Sequence, residues 1–293
     1  MVQTTANSLT ETALAEMTSA YIKAYGRPDP LAAQVAWRRR SQLNVSTPFL
    51  RWEDTDLSSL SKSEGDNADE IQMQTNEATA TPAIVSFEVA LTDEAKRGAV
   101  EDLDIMERLV EEAIMALRNL RDSDILAVST GATQFTGATT DPLTEDAYYS
   151  AIGTYRGLDP VIGPEGAVVI LGNQAASDLR RSTQLSSAGS RVMDPFGKGP
   201  IGSPVLGELG GALVLESSNV AVEGSGLSNI ITSVGQGSGL GLAWAPGEEG
   251  EEIQIEVNRG EEGARRGVTF MVFRMDYAAV LTDARGLVEL LSA

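Results

Sequence analysis

The sequence predicts an α+β protein, and three features of its 293 residues support that class. No Gly or Pro interrupts residues 99–130, where apolar side chains recur at helical spacing. Residues 83–91 and 253–257 alternate apolar and polar side chains, as half-buried strands do. Residues 145–245 mix both patterns. No fixed repeat period is present, so we expect several packed units rather than a repeat array.

The N-terminal part predicts two helices followed by an acidic hairpin. Ser8 and Glu11 fit a capping box that opens a first helix, and residues 31–39 predict a second, short one. Strand-like residues 45–52 and 83–91 flank a polar segment rich in Ser, Asp, Asn and Glu. Because a lone two-stranded hairpin is marginally stable in water, we expect this one to lie on a partner surface such as another subunit.

The clearest predicted helix lies within residues 100–128, and its ~26 helical residues would span roughly 39 Å at 1.5 Å per residue. Its apolar stripe comprises Leu103, Met106, Val110, Ala113, Leu117 and Leu120. Its outer, solvated face is expected to carry Glu101, Glu107, Arg108, Glu111, Arg118, Arg121 and Asp122.

The lobe over 145–245 is predicted to contain helices, strands and one long loop. Its helices run from Asp146 to Tyr155 and from Asn173 through Arg181; its strands cover 167–171, 212–215 and 230–234; its loop covers 186–211. The unbroken apolar run at 167–171 favours a central strand covered on both faces. The chain is then predicted to finish with strands at 253–257, 268–275, 277–281 and 287–291.

The composition excludes most catalytic chemistry. The sequence has no Cys and no His, which removes thiol nucleophiles, imidazole bases, thiolate metal sites and Ser-His-Asp triads. Carboxylates remain, but Glu248, Glu249, Glu251 and Glu252 lack EF-hand spacing and are predicted to form a solvated acidic turn. We therefore predict no catalytic residue, no cofactor and no metal.

The sequence also lacks phosphate-binding and targeting motifs. Gly197-Lys198 lacks the remaining P-loop residues, and the alternating glycines from Gly235 to Gly241 do not match G-x-G-x-x-G, so they predict a flexible loop or strand bend. The first residues lack a basic region and an apolar core, and no apolar run is long enough to span a membrane.

The charge balance is strongly acidic. There are 42 Asp and Glu against 22 Lys and Arg, a net charge of −20. Such a surface repels nucleic acid and anionic membranes. The scarcity of lysine is similar to the bias of proteins from salt-loving organisms, so a halophilic host and an ordinary acidic protein both stay open.

The order of these elements resembles the major capsid proteins of tailed double-stranded DNA viruses, which have the Hong-Kong-97-type fold. Local resemblances strengthen it. AVVILGNQAASDLRR at 167–181 looks like the A-domain strand and helix of that family, and GGALVLESSNV at 210–220 looks like its next strand. GVTFMVFRMDYAAVLTDARGLVEL at 267–290 resembles its closing strand, with Arg274 where the family commonly has an arginine.

The resemblance implies a domain division and a function. The N-arm would be residues 1–50 and the E-loop residues 51–91. The P-domain would have two parts, 92–144, which contains the spine helix 100–128, and 246–293. The A-domain would be residues 145–245. The chain would be a structural protein that assembles into pentamers and hexamers around a double-stranded DNA genome. Its partners would be copies of itself and scaffolding, portal and decoration proteins. Its contact with DNA would be weak and non-specific, and it would bind no membrane. It would be located in the virion.

The resemblance also implies residues that meet neighbouring subunits. The candidates are Trp37, Arg38, Arg39, Arg40, Arg51, Trp52, Glu53, Asp54, Lys62, Glu70 and Arg274. Some family members cross-link a lysine to an asparagine with help from a glutamate, for which Lys62, Asn258 and Glu261 are the candidates here. For the run Arg38-Arg39-Arg40 the residues alone favour a solvated end or ion-pair partners.

Two other functions stay open. An encapsulin-like nanocompartment shell shares the fold and would hold enzyme cargo against an N-terminal helix. A carboxylate-dependent hydrolase on an α/β scaffold would be a small oligomer with a concave acidic pocket.

Overall fold

The computed structural model describes residues 31–52, 75–92, 104–158, 166–181, 205–224, 226–247, 250–258 and 268–293. Its α-helices are α1 (Leu31–Val35), α2 (Asp104–Ala127), α3 (Glu145–Leu158) and α4 (Asn173–Arg181). Its strands are β1 (Trp37–Arg40), β2 (Thr47–Trp52), β3 (Thr75–Ala80), β4 (Ala83–Thr92), β5 (Phe135–Gly137), β6 (Val168–Leu171), β7 (Val205–Leu209), β8 (Ala212–Glu216), β9 (Ala221–Glu223), β10 (Gly226–Thr232), β11 (Leu240–Ala245), β12 (Ile253–Asn258), β13 (Val268–Leu281) and β14 (Leu287–Ser292). None of these helices has the length and hydropathy needed to cross a bilayer.

A five-stranded sheet is built around β13. One edge of β13 pairs antiparallel with β12 and then with β11, and its other edge pairs with β4. β1 completes the sheet by pairing parallel to β11. Met271, Phe273 and Met275 are buried on the face of β13 whose core also contains Val110, Ile114 and Leu117 of α2. β13 therefore has paired strands on both of its edges and is an inner strand of the sheet.

A seven-stranded sheet forms the second layer, in the order β5-β14-β10-β6-β8-β7, with β9 pairing beside β10. Every residue of β6 is buried, as the unbroken apolar run predicts. Tyr148 and Ile152 of α3 and Leu179 of α4 share a core with one face of this sheet. Its other face contributes Val168, Ile170 and Ile230 to the core that contains α2, so both faces are covered.

Two short crossings carry the chain directly between the sheets. Residues 233–239 connect β10 to β11, and residues 282–286 connect β13 to β14. Strand β11, within the predicted unit 145–245, therefore lies in the five-stranded sheet, and β14, within 246–293, lies in the seven-stranded one. The domain division itself stays a prediction.

The predicted long helix, the helix after residue 145, the β6 strand and the helix opened by Asn173 are all confirmed. Several strands differ from the prediction, and three of them lie in the second half of the chain. β7 lies inside the predicted loop 186–211, β11 begins within the run of alternating glycines, and residues 268–281 form one continuous strand. In each case pairing with a neighbouring strand outweighs the local signal.

The predicted hairpin is wrong in its pairing. β2 pairs with β3, which lies in the segment interpreted as a polar tip, and not with residues 83–91. Those residues form β4 and pair with β13 in the body. Val85, Phe87 and Val89 of β4 pack against the main core, and Phe87 stacks on Phe273 at 5.3 Å. Burial of this apolar face explains why β4 joins the body.

The helix predicted over 31–39 is also too long. α1 ends at Val35, and residues 37–40 form β1 instead. The side chains of β1 alternate between half-buried and exposed, as those of an edge strand do. Pairing with β11 therefore determines the conformation of the three arginines.

The predicted buried and solvated faces of the long helix are correct only in its first half. Val110, Ala113 and Leu117 are buried, but Leu120 is 45% exposed. Arg118, Arg121 and Asp122, predicted to be solvated, are at most 2% exposed. An apolar stripe with a period of 3.5 drifts by about 20° per heptad around a straight helix with a period of 3.6. The buried face of the last turns is therefore rotated away from Leu120 and towards Arg121 and Asp122.

Candidate subunit-contact surface

The β2–β3 hairpin is held on the body by stacked aromatic and guanidinium groups. The rings of Trp37 on β1 and Phe49 on β2 meet edge to face with centroids 5.2 Å apart. The Arg39 guanidinium lies 5.9 Å from the Phe49 ring and 6.0 Å from the Trp37 ring, and it donates to the Pro48 carbonyl. Cation–π contact and this hydrogen bond together anchor the base of the hairpin.

Glu252 links β1 to the long helix. Its Oε1 accepts a hydrogen bond from Arg38 Nη2 at 2.9 Å and another from Arg121 Nη1. The side chain of Glu252 is 8% exposed, and that of Arg121 is fully buried. Arg38 also lies 5.9 Å from the ring of Trp244 on β11. One buried carboxylate thus ties the edge strand to α2, and the prediction of a solvated turn is wrong for Glu252.

Asp122 connects the long helix to the start of α1. Its Oδ1 accepts a hydrogen bond from the Ala32 backbone N–H at 2.7 Å, and its Oδ2 accepts one from Asn219 Nδ2 at 3.0 Å. Burial raises the pKa of the Asp122 carboxyl, although its hydrogen bonds and the charge of Arg121 act in the opposite direction. The side chain therefore joins three separate parts of the chain where the N-terminal segment enters the body.

Arg51 extends from the hairpin to the crossings between the sheets. Its Nη2 donates to the Gln236 carbonyl at 2.9 Å, and its Nη1 lies 3.4 Å from Asp283 Oδ2. The side chain is 11% exposed. This predicted interface residue therefore makes its described contacts within the subunit.

Arg40 and Arg274 line an open groove of about 820 Å³. The groove runs along the turn between β1 and β2, the end of β11, and the neighbouring parts of β12 and β13. Arg274 donates two hydrogen bonds to Asp276, at 2.9 and 2.8 Å, and this interaction raises the pKa of its guanidinium. Arg40 is exposed at the end of β1.

Several predicted residues lie outside the described part of the chain. These are Glu53, Asp54, Lys62, Glu70 and Glu261, together with the side chains of Trp52 and Asn258. The interface role of the predicted residues and the cross-link therefore stay predictions.

Sequence reasoning missed the importance of Asp122 and Glu252. Each is an acidic residue next to other charged residues in the sequence, which is the usual pattern of a solvated surface. A usable signal existed only for Asp122, because Arg121, Asp122, Ile125 and Leu126 follow the spacing of a buried helix face once the drift is included.

The described residues offer structural contacts rather than reactive groups. Within them, no group of three or more acidic side chains is placed to hold a metal ion. Tyr148 is buried and donates to the Leu209 carbonyl at 3.0 Å; burial raises the pKa of its hydroxyl. Tyr277 donates to Asp124 Oδ2 at 2.5 Å, and burial with this hydrogen bond raises its pKa as well. Both hydroxyls stay protonated at neutral pH and act as structural donors.

The sequence profile of a family described as phage capsid protein matches residues 76–290, well over half of the chain. The chain belongs to the phage capsid protein family. No curated protein matches its sequence significantly. The prediction of a structural protein of the virion, rather than an enzyme, is confirmed by this membership.

Solved capsid structures share the fold. The capsid protein of cyanophage P-SCSP1u is 11% identical, with a TM-score of 0.62 over 92% of this chain and 90% of that one. The capsid of a native GTA particle is 12% identical, with a TM-score of 0.62 over 92% of each chain. The capsid of Ralstonia phage GP4 is 13% identical, with a TM-score of 0.60 over 90% of each chain.

These similarities confirm the predicted α+β capsid fold of Hong-Kong-97 type. They support neither the nanocompartment shell nor the hydrolase. A halophilic host stays a prediction.

Proposed function

We propose that the chain assembles with copies of itself into hexamers and pentamers, which close into an icosahedral shell around double-stranded DNA. The observation that carries this proposal is the membership of the phage capsid protein family over residues 76–290. The fold shared with solved capsids supports it over nine-tenths of the chain. We also propose the domain division into N-arm, E-loop, P-domain and A-domain for this subunit.

The hairpin is the element that we propose to reach a neighbouring subunit. Its last described pair is Trp52 with Thr75, and residues 53–74 lie between these two residues in the sequence. This segment contains seven acids and one lysine, a net charge of −6. Arg40 and Arg274, in the open groove on the body, are the positive groups that we propose to face a neighbour.

The test is electron microscopy of the purified full chain beside a variant in which residues 53–74 are replaced by Asn-Gly. Because Trp52 and Thr75 are paired, a two-residue turn can close the shortened hairpin. We expect the full chain to form closed shells with fivefold and sixfold clusters. We expect the shortened chain to stay folded and unassembled.

A matched control keeps all 22 residues of this segment and replaces only its seven acids by the corresponding amides. If length provides the contact, the control still assembles; if charge provides it, assembly fails as in the shortened chain. Shells formed by the shortened chain would contradict the role of the hairpin. A full chain that stays monomeric in all salts would contradict the shell itself.

Further partners follow from the same proposal. Scaffolding, portal and decoration proteins would bind the assembled shell, and packaged DNA would meet it only through weak contacts, because a net charge of −20 repels phosphate. The proposed cross-link between Lys62 and Asn258 predicts covalent multimers in denaturing gels of the shells, and their loss in Lys62→Arg.

A further inference from the structure

Arg51 contacts both direct crossings between the two sheets. Its Nη2 donates to the carbonyls of Gln236 at 2.9 Å and Ser238 at 3.4 Å, in the crossing from β10 to β11. Its Nη1 lies 3.4 Å from Asp283 Oδ2, in the crossing from β13 to β14. One guanidinium of the hairpin thus meets both places where the chain passes directly from strand to strand between the sheets.

The two crossings are bonded to each other, and we call residues 233–239 and 282–286 together the junction. Gly239 N–H donates to the Gly286 carbonyl at 3.1 Å, and Thr282 N–H donates to the Gly239 carbonyl at 2.8 Å. The Thr282 hydroxyl donates to the Ser238 carbonyl at 2.7 Å. A Cβ at Gly286 would lie 2.7 Å from Arg51 Nη1 and 3.1 Å from Gly239 N. The junction is therefore a tightly packed unit with Arg51 against it.

Asp283 provides the junction with a charge that two arginines share. It accepts hydrogen bonds from the Arg285 backbone N–H and from Arg285 Nη2, both at 2.9 Å. Burial raises the pKa of the Asp283 carboxyl, but the hydrogen bonds from Arg285 and the charge of Arg51 outweigh it and hold the pKa below its ordinary value. At neutral pH the carboxylate is thus ionised beside the guanidinium of Arg51.

The hairpin has two anchors on one face. Phe49 and Arg51 are two residues apart on β2, so both point to the same side of the hairpin. Phe49 packs on β1, whereas Arg51 binds the junction. A hairpin fixed at two points on different parts of the body cannot keep its orientation when those parts move relative to each other.

We propose that Arg51 is a positioning residue that couples the orientation of the β2–β3 hairpin to the junction between the two sheets. A change in the angle between the sheets is then transmitted to the hairpin. This inference concerns the single subunit and does not depend on the proposed assembly into shells.

The test is hydrogen exchange of the full chain, measured peptide by peptide on unassembled subunits. Arg51→Gln is expected to speed exchange about tenfold in both the hairpin strands and the junction, since it removes the charge-assisted hydrogen bonds from Arg51 to the Gln236 and Ser238 carbonyls. Asp283→Asn is expected to speed exchange in residues 75–80 as well. In the double variant the hairpin should exchange no faster than in Arg51→Gln.

Arg285→Gln is the matched control, because it removes the other arginine from Asp283 and leaves the hydrogen bonds from Arg51 to Gln236 and Ser238 in place. It should speed exchange only at 283–286. Arg51→Lys keeps the charge and replaces Arg51→Gln in the test if Arg51→Gln does not fold. Hydrogen exchange of the hairpin in Arg51→Lys should be faster than in wild type and slower than in Asp283→Asn. The proposal is overturned if Asp283→Asn leaves residues 75–80 unchanged, or if Arg51→Gln loosens the hairpin without the junction.

Discussion

Glu252 holds its carboxylate between two guanidinium groups that are distant in sequence. Arg121 is 131 residues away and Arg38 is 214 residues away. Around Glu252 the sequence shows only a cluster of acids, which is typical of a solvated turn. The partner that stabilises a buried charge determines whether that charge can be buried at all. Such a partner is visible only in the folded structure, so this part of the site could not be predicted.

Replacing Glu252 by Gln removes the charge that the buried Arg121 faces. We expect Glu252→Gln to lower the free energy of unfolding by about 2–3 kcal/mol, because two charge-assisted hydrogen bonds are weakened. Denaturant unfolding of the unassembled subunit measures this effect. Glu256→Gln on β12, the strand that begins directly after Glu252, is the matched control, because Glu256 is exposed. Equal effects of the two substitutions would contradict the role of Glu252.

Asp122 makes stability depend on pH in a definite direction. Because its pKa is raised in the folded state, its contribution is fully present below its ordinary pKa of about 4 and is lost as the pH rises through the raised value. Asp122→Asn lacks this dependence. We therefore expect the stability deficit of Asp122→Asn relative to wild type to be largest below about pH 4 and to shrink as the pH rises.

Thermal unfolding of both proteins between about pH 3 and pH 7 measures this difference. Asp283 has the opposite dependence: its lowered pKa gives stability that is lost as the pH falls below about 4. It is present in both proteins, so its effect cancels in the comparison. A deficit that grows with pH would contradict the raised pKa of Asp122.

The long helix shows what periodicity predicts at the scale of an element and where it fails. Its existence and its first buried turns follow from the apolar stripe, because Val110, Ala113 and Leu117 face the core. Its last turns pack against α1 and against residues 217–219, so polar groups of those segments can satisfy buried charges there. The stripe contains no information about such neighbours.

Two leucines of the predicted stripe test whether the stripe itself or the face rotated away from it is buried. Leu117 is 1% exposed and Leu120 is 45% exposed. We expect Leu117→Ala to cost about 2–5 kcal/mol of unfolding free energy and Leu120→Ala to change it by at most about 0.5 kcal/mol. Denaturant unfolding of the two variants checks the difference. Similar losses would indicate that the stripe, and not the drifted face, is buried.

The hairpin shows the same limit for strands. Period-two alternation correctly identified 83–91 as a strand, but alternation does not say which strand pairs with it. Residues 75–80 contain Thr, Asn, Glu and Ala and carry no apolar alternation. Their pairing with β2 depends on the contacts that Phe49 and Ala80 make with the body. The sequence therefore predicted the strands at its two ends and missed the one between them.

For the whole molecule, charge dominates the expected behaviour in solution. Residues 53–74 and 248–262 each carry a net charge of −6. We expect the thermal midpoint of the protein and the yield of assembled shells to rise as chloride is increased from about 0.1 M to about 3 M, because screening weakens like-charge repulsion. Calorimetry and light scattering measure the two quantities.

The control is the variant in which the seven acids of 53–74 are amides, whose response to salt should be smaller. A midpoint that falls steadily with chloride would contradict both the screening argument and the halophilic host.

The order of elements along the chain and the absence of Cys and His were sufficient to predict the capsid fold and a structural role. The exchange of β11 and β14 between the sheets was not predictable, because it depends on which sheet edge each strand meets.

The parallel pair of β1 and β11 has a consequence for biosynthesis. Trp37 lies beside Gly241, so the edge formed by β1 is completed only after more than two hundred further residues have been translated. The pairing of β4 is completed later in translation than that of β1, since its partner residues begin at Val268. Distant contacts of this kind form late, so we expect ribosome-stalled chains ending before residue 268 to be digested readily by protease and full-length chains to resist it. A subunit that becomes compact only after residue 268 has been translated has little opportunity to polymerise on the ribosome before that point.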